Sequence, residues 1–159
     1  MYTIRALVFT FAFVASSASA FAQIDLRAQY ATDSLDAAKA IDRGIKASAA
    51  GRAKEALAAF REAVKLDPKC GMAHFQMAIA HADLGEIDEA LAALQVVFAP
   101  DTRVARNVRA VAATNAGLTC GRLGRLDEAA KWFSRAILED YDNVYKERAK
   151  AYRNLAITH

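Results

Sequence analysis

Gly51-Arg52-Ala53-Lys54-Glu55-Ala56 recurs as Gly85-Glu86-Ile87-Asp88-Glu89-Ala90 and again as Gly124-Arg125-Leu126-Asp127-Glu128-Ala129. In each copy a glycine is followed, four and five residues later, by Glu-Ala. The first two glycines are 34 residues apart and the last two 39. A period of roughly 20–50 residues marks a solenoid, whose units bury their apolar faces against their neighbours. Such a chain is to be questioned first about its partners, and only then about a reaction.

The residues flanking the glycines define each unit. Before Gly85, Met72, Phe75, Ile79 and Ala82 recur at helical spacing, and Leu84-Gly85 stops the run. After it, Ile87, Ala90, Leu91, Leu94 and Val97 form a second amphipathic stripe. Each unit is therefore a pair of antiparallel helices, with the glycine in the left-handed conformation that ends the first. Asp88 and Asp127 suit the positive start of the second helix.

Helices are expected over 34–50, 52–66, 71–84, 87–98, 102–123, 126–139 and 143–158. Asp67-Pro68 marks one turn between units, and Ala99-Pro100-Asp101 the next, with Asp101 or Thr102 as N-cap. The five extra residues of the longer interval are expected at the start of the fifth helix, with Arg103, Arg106 and Arg109 on its opening turns. The last helix has no partner and should cap the stack. The fold class is all-α: a right-handed α-solenoid of three helix-turn-helix repeats plus a C-terminal capping helix.

These spacings resemble the tetratricopeptide repeat. Gly44, Ala78 and Gly117 match the small residue where the paired helices cross most closely, each seven before the repeated glycine. Ala56, Ala90 and Ala129 match the alanine that lets the second helix approach. Phe60, Leu94 and Phe133 match the bulky residue four further on. Ala63, Val97 and Ala136 follow, and Pro68 closes the first unit where the family has proline. The resemblance covers residues 37–143, with repeats at about 37–70, 71–104 and 110–143. Departures are local. Arg43 stands where leucine or methionine is expected, and Pro100 comes two residues early.

The resemblance implies a concave surface, lined by the first helix of each pair, that takes a protein or peptide partner. On this chain that face carries Ala38, Ile41, Ile45 and Ser48, then Met72, Phe75, Ile79 and Ala82, then Val111, Thr114, Leu118 and Gly121. Gln76 and Asn115 add hydrogen-bonding groups. Some relatives grip a C-terminal carboxylate here with lysine and asparagine. Ile41, Ile45 and Val111 occupy such positions, so that clamp is missing. Apolar recognition of a protein segment is the expectation. The alternative is that the lead-in segment or a second copy of the chain, as a homo-oligomer, covers the same face.

The N-terminus reads as a cleavable export signal over residues 1–22. Arg5 precedes the apolar run Ala6–Ala15, and small residues follow to Ala22. The run is shorter than the roughly 20 residues a membrane span needs, so no integral anchor is expected after cleavage. Without a lipid-attachment cysteine, a periplasmic or secreted bacterial product is expected. Residues 23–33 read as a flexible lead-in and 34–159 as the repeat domain. Without Arg5 the chain carries 20 basic and 18 acidic residues, a balance that gives no reason to expect nucleic acid.

One constellation could carry inorganic chemistry. Cys70, His74, Met77 and His81 fall on one helix face, with Cys120 at the equivalent place in the next unit. Soft ligands of this kind suit copper or zinc, so a small metal-handling protein is the alternative function. One straight helix cannot wrap four ligands round an ion, however, since the stripe spans about 16 Å. His74, Met77 and His81 also stand where the first helix packs on its own partner. The two cysteines are expected to be buried and unpaired. No catalytic triad context or phosphate-cradling loop is present, so no cofactor, metal or catalytic residue is expected.

Overall fold

A computed structural model of the chain describes residues 26–140, 150–151 and 153–154. Among the described residues, six helices pair into three hairpins: α1 (Leu35–Ala49) with α2 (Ala53–Leu66), α3 (Gly71–Asp83) with α4 (Ile87–Val97), and α5 (Arg106–Arg122) with α6 (Leu126–Glu139). The result is an all-α helical repeat solenoid. No described helix is long and apolar enough to cross a membrane. The export signal lies outside the described residues, as does most of the expected capping helix. Residues 150–151 and 153–154 are helical, and Ala151 is buried in the core of the last two units.

Each hairpin turns on the same cap. Gly51, Gly85 and Gly124 have φ of +71°, +77° and +70°. The next residue's N–H bonds back across the turn in each case: Arg52 to Ala47 O, Glu86 to His81 O and Arg125 to Cys120 O, all at 2.9 Å. This is the Schellman arrangement, which satisfies carbonyls the helix end would leave open. The second helices start without a side-chain N-cap. Arg52 pairs instead with Glu55 at 2.8 Å and Arg125 with Glu128 at 2.7 Å, which places the repeated glutamate in the first helical turn.

Within hairpins, bulk on one helix is matched by absence on the other. Ideal Cβ atoms on Gly44 and Gly117 would lie 2.3 Å from the Phe60 ring and 2.5 Å from the Phe133 ring. The middle unit has Ala78 opposite the smaller Leu94. Phe60 and Phe133 are fully buried, one in a core shared by the first unit and α3, the other in a core shared by the last two units.

The structure differs from the sequence expectations in two places. The five extra residues do not lengthen α5, which starts at Arg106 with Ala105, not Asp101 or Thr102, as its N-cap. They form a loop, because Arg103 is committed elsewhere. Its N–H donates to Lys69 O at 2.7 Å, and its carbonyl accepts from Gly71 N–H at 2.8 Å. This two-bond parallel bridge ties the start of α3 to the loop before α5. Thr102 Oγ1 holds the loop further by donating to Val96 O at 2.9 Å.

The second difference concerns the lead-in. Residues 26–30 form a helical turn and pack on the first unit; residues 23–25 lie outside the described residues. Tyr30 is only 5% exposed. Burial, and then the charge of Asp42, raises its hydroxyl pKa, while Lys46 opposes; both residues sit on α1. Thr32 Oγ1 donates to the buried Asp67 carboxylate. Arg103 Nη2 donates to both oxygens of the same carboxylate, at 2.8 and 2.7 Å, and Lys69 N–H to one at 3.2 Å. Arg103 Nη1 also meets Asp33 at 3.1 Å. One carboxylate therefore joins the lead-in, the α2–α3 turn and the α4–α5 loop.

Candidate partner-binding groove

The concave face is less open than its periodicity implies. Ile41 is fully buried and Phe75 is 8% exposed. Thr114 is buried, and its hydroxyl donates to Ala110 O at 3.0 Å within its own helix. None of these three presents its side chain to solvent. Ile45 and Met72 are half-buried against the first core, and Val111 against the second. Gln76 makes only a weak 3.8 Å contact with Met72 Sδ. A charged side chain at Phe75 would therefore test the core and not the groove.

Ile79, Asn115 and Leu118 do come together. They line a cleft of about 180 Å³ between α3 and α5, floored by Ala78, Ala90 and Leu94. Small residues on α3 leave the room, since Ala78 and Ala82 line the cleft where larger side chains would fill it. Three further lining residues were not singled out from the sequence: Asp83, Thr119 and Arg122. Helical spacing was the available signal, because Thr119 follows Asn115 by one turn and Arg122 follows Leu118 by four residues. Asp83 and Arg122 end α3 and α5 and place opposite charges at one end of the cleft. Leu118, 38% exposed, and Arg122 also line a neighbouring hollow of about 270 Å³ that reaches Leu126, Phe133 and Asn154. Leu118 is thus a ridge between two depressions. An apolar ridge flanked by an amide, a hydroxyl and a guanidinium can bury a side chain while bonding the backbone beside it.

The Cys/His/Met stripe does not form a ligand set. The Cys70 thiol donates to Tyr30 O at 3.3 Å. His74 Nε2 donates to Pro68 O at 2.9 Å, and His81 Nδ1 to Glu86 Oε2 at 2.6 Å. Each donor serves a different structural partner, and among the described residues no three His, Cys, Asp or Glu side chains cluster in a way that could hold a metal. Cys70 and Cys120 are both buried with free thiols, and burial pushes both pKa values up. That keeps them protonated and unreactive. Of the three arginines expected on the opening turns of α5, Arg103 is a structural tie off the helix. Arg109 reaches back to Thr102 O at 3.4 Å.

Two family models described as tetratricopeptide repeat match residues 47–113 and 110–143. Among solved structures, the chain is similar to the first such domain of Spaghetti (RPAP3) bound to the HSP90 peptide SRMEEVD. The TM-score is 0.62 at 23% identity, over 78% of this chain and 96% of that one. The first domain of human RPAP3, solved by NMR, gives 0.61 at 22% identity, over 77% and 94%. MamA gives 0.58 at 20% identity, over 77% and 78%. No curated protein matches the chain.

Proposed function

The chain belongs to the tetratricopeptide repeat superfamily, and from that premise we propose that it is a non-enzymatic protein-interaction module of the bacterial periplasm or cell envelope. It captures a segment of a partner protein in the cleft between α3 and α5. The observation that carries this reading is the cleft's composition. Ile79 and the exposed Leu118 offer apolar contact, and Asn115, Thr119 and Arg122 offer polar groups beside it. The peptide seated on the similar RPAP3 domain supports a segment as ligand. Ile79 and Leu118 favour a partner read mainly by apolar side chains, with Asn115, Thr119 and Arg122 bonding polar groups beside them. Export rests on the arrangement of Arg5, the apolar run and the small residues to Ala22.

The test is site-directed photo-crosslinking from Ile79 in intact cells, repeated with Leu118→Asp and with Leu138→Asp. Leu138, 72% exposed on α6, lies outside the cleft and serves as the control. Leu118→Asp should cut capture of the crosslinked partner at least tenfold with helicity unchanged, while Leu138→Asp leaves it intact. Equal capture by all three proteins overturns the cleft as the binding site. Fractionation checks the location: the chain should appear in the periplasmic fraction shortened by about two kilodaltons (the mass of 22 residues, about 0.11 kDa each), and a full-length cytoplasmic product overturns export.

A further inference from the structure

The first unit's concave face already has an occupant. Tyr30 and Leu26 join the apolar cluster that contains Ala38, Ile41, Ile45 and Met72. These are the positions where the repeat pattern puts a ligand surface on the first unit and the start of the second. The described part of the occupant has five helical residues, 26–30, before the turn at Ala31. Its end is strained. Ala31 sits at φ +51°, the only non-glycine residue with positive φ among those described, a conformation in which the alanine Cβ crowds the following carbonyl oxygen. Among the described residues, its side-chain polar ties to the repeats are the Thr32 hydroxyl on Asp67 and the Asp33 carboxylate on Arg103. The Cys70 thiol lies underneath, with no exposed surface and donating to Tyr30 O.

We propose that residues 26–33 are a strap that opens as a local unit, without unfolding the repeats, and uncovers Ile41, Ile45, Met72 and Cys70. Segments with few buried groups and a small number of ties open at lower cost than the core they cover. Closed, the strap limits the concave surface to the cleft between α3 and α5. Open, it extends that surface over all three units, so the strap competes with a partner for the first. This last consequence rests on the binding role proposed above; the opening itself does not.

Cys70 reports the opening and Cys120, buried on α5 in the core of the last two units, reports on the core. Thiol modification by an aromatic disulfide reagent, at concentrations where opening is a rapid pre-equilibrium, measures the open population at each site. In the full chain Cys70 should react faster than Cys120. Thr32→Val removes the hydroxyl while keeping its shape, and should speed Cys70 labelling tenfold or more, because a hydrogen bond to a charged group holds the closed form by at least that factor. Ala31→Gly relieves the positive φ and should slow labelling severalfold. Cys120 should be unaffected by either change. The strap is overturned if Cys70 and Cys120 react at the same rate and respond together to both variants, because residues 26–33 then unfold only with the core. It is equally overturned if neither variant changes Cys70 labelling. Both outcomes leave the α3–α5 cleft standing.

Discussion

Gly117→Ala destabilises the chain by about 2–3 kcal/mol, and Phe133→Leu in the same molecule returns a large part of that loss. The added methyl would sit 2.5, 2.6 and 2.9 Å from three carbons of the Phe133 ring, well inside van der Waals contact. The ring cannot swing away, being 2% exposed and packed in the core of the last two units. Helix α5 or α6 must shift instead, which costs contacts along the whole hairpin. The double variant recreates what the middle unit already uses, alanine opposite leucine at Ala78 and Leu94. Thermal or urea unfolding of the two single variants and the double one gives the coupling energy, expected to exceed about 1 kcal/mol. Strictly additive effects would mean that the close crossing is not what fixes these residue sizes. Gly44→Ala with Phe60→Leu should behave the same way.

Asp67→Ala costs about 2 kcal/mol and loosens three segments together. The carboxylate accepts from Thr32, from Arg103 through two bonds and from the Lys69 amide, while alanine accepts from none of them. The loss should appear as faster amide exchange at the lead-in and the α4–α5 loop, with the α5–α6 hairpin unchanged. Uniform loss of protection would show that the carboxylate serves only global stability. The pH dependence has a definite sign. Burial by itself raises the Asp67 pKa. The hydrogen bonds from Thr32 and Arg103, the Arg103 charge and the Lys69 amide outweigh burial and hold it below the usual carboxylate range. A depressed folded-state pKa gives stability that is present above the unfolded value of about 3.9 and is lost as pH falls through the folded one. The gap between the parent chain and Asp67→Ala should therefore be full at neutral pH and close only in strong acid.

The hairpins could be read from the sequence because their determinants are local and repeated. Gly51, Gly85 and Gly124 fix the turns, and Gly44–Phe60, Ala78–Leu94 and Gly117–Phe133 pair at one constant separation, so each copy checks the others. The Asp67–Arg103 tie occurs once, across 36 residues, and depends on the path of a loop that the period leaves undefined. The same limit explains the candidate site. Periodicity assigns Ile41, Phe75 and Thr114 to the concave side of their helices, which concerns direction alone. Exposure depends on what lies opposite: residues 26–33 over Ile41, and for Thr114 a hydroxyl turned back to its own helix. Ile79, Asn115 and Leu118 reach the cleft because Ala78 and Ala82 leave it unfilled. Arg122 lies beyond the apolar columns, where a pattern of hydrophobic spacing gives it no weight.

The bridge between Lys69–Gly71 and Arg103 also has a mechanical meaning. It sits at the starts of α3 and α5, which otherwise meet only sparsely along their lengths, while Asp83 and Arg122 stand at their far ends. The two helices are thus the arms of a pair of tongs, pivoted on two backbone hydrogen bonds. A side chain at Gly71 would jam the pivot, since its Cβ would fall 2.6 Å from that of Val104. At 1.5 Å per residue the arms are roughly 20 Å long, so a few degrees of rotation at the pivot changes the gap at the charged tips by an ångström or more. The jaw width of the cleft is set far from the residues that would grip a ligand.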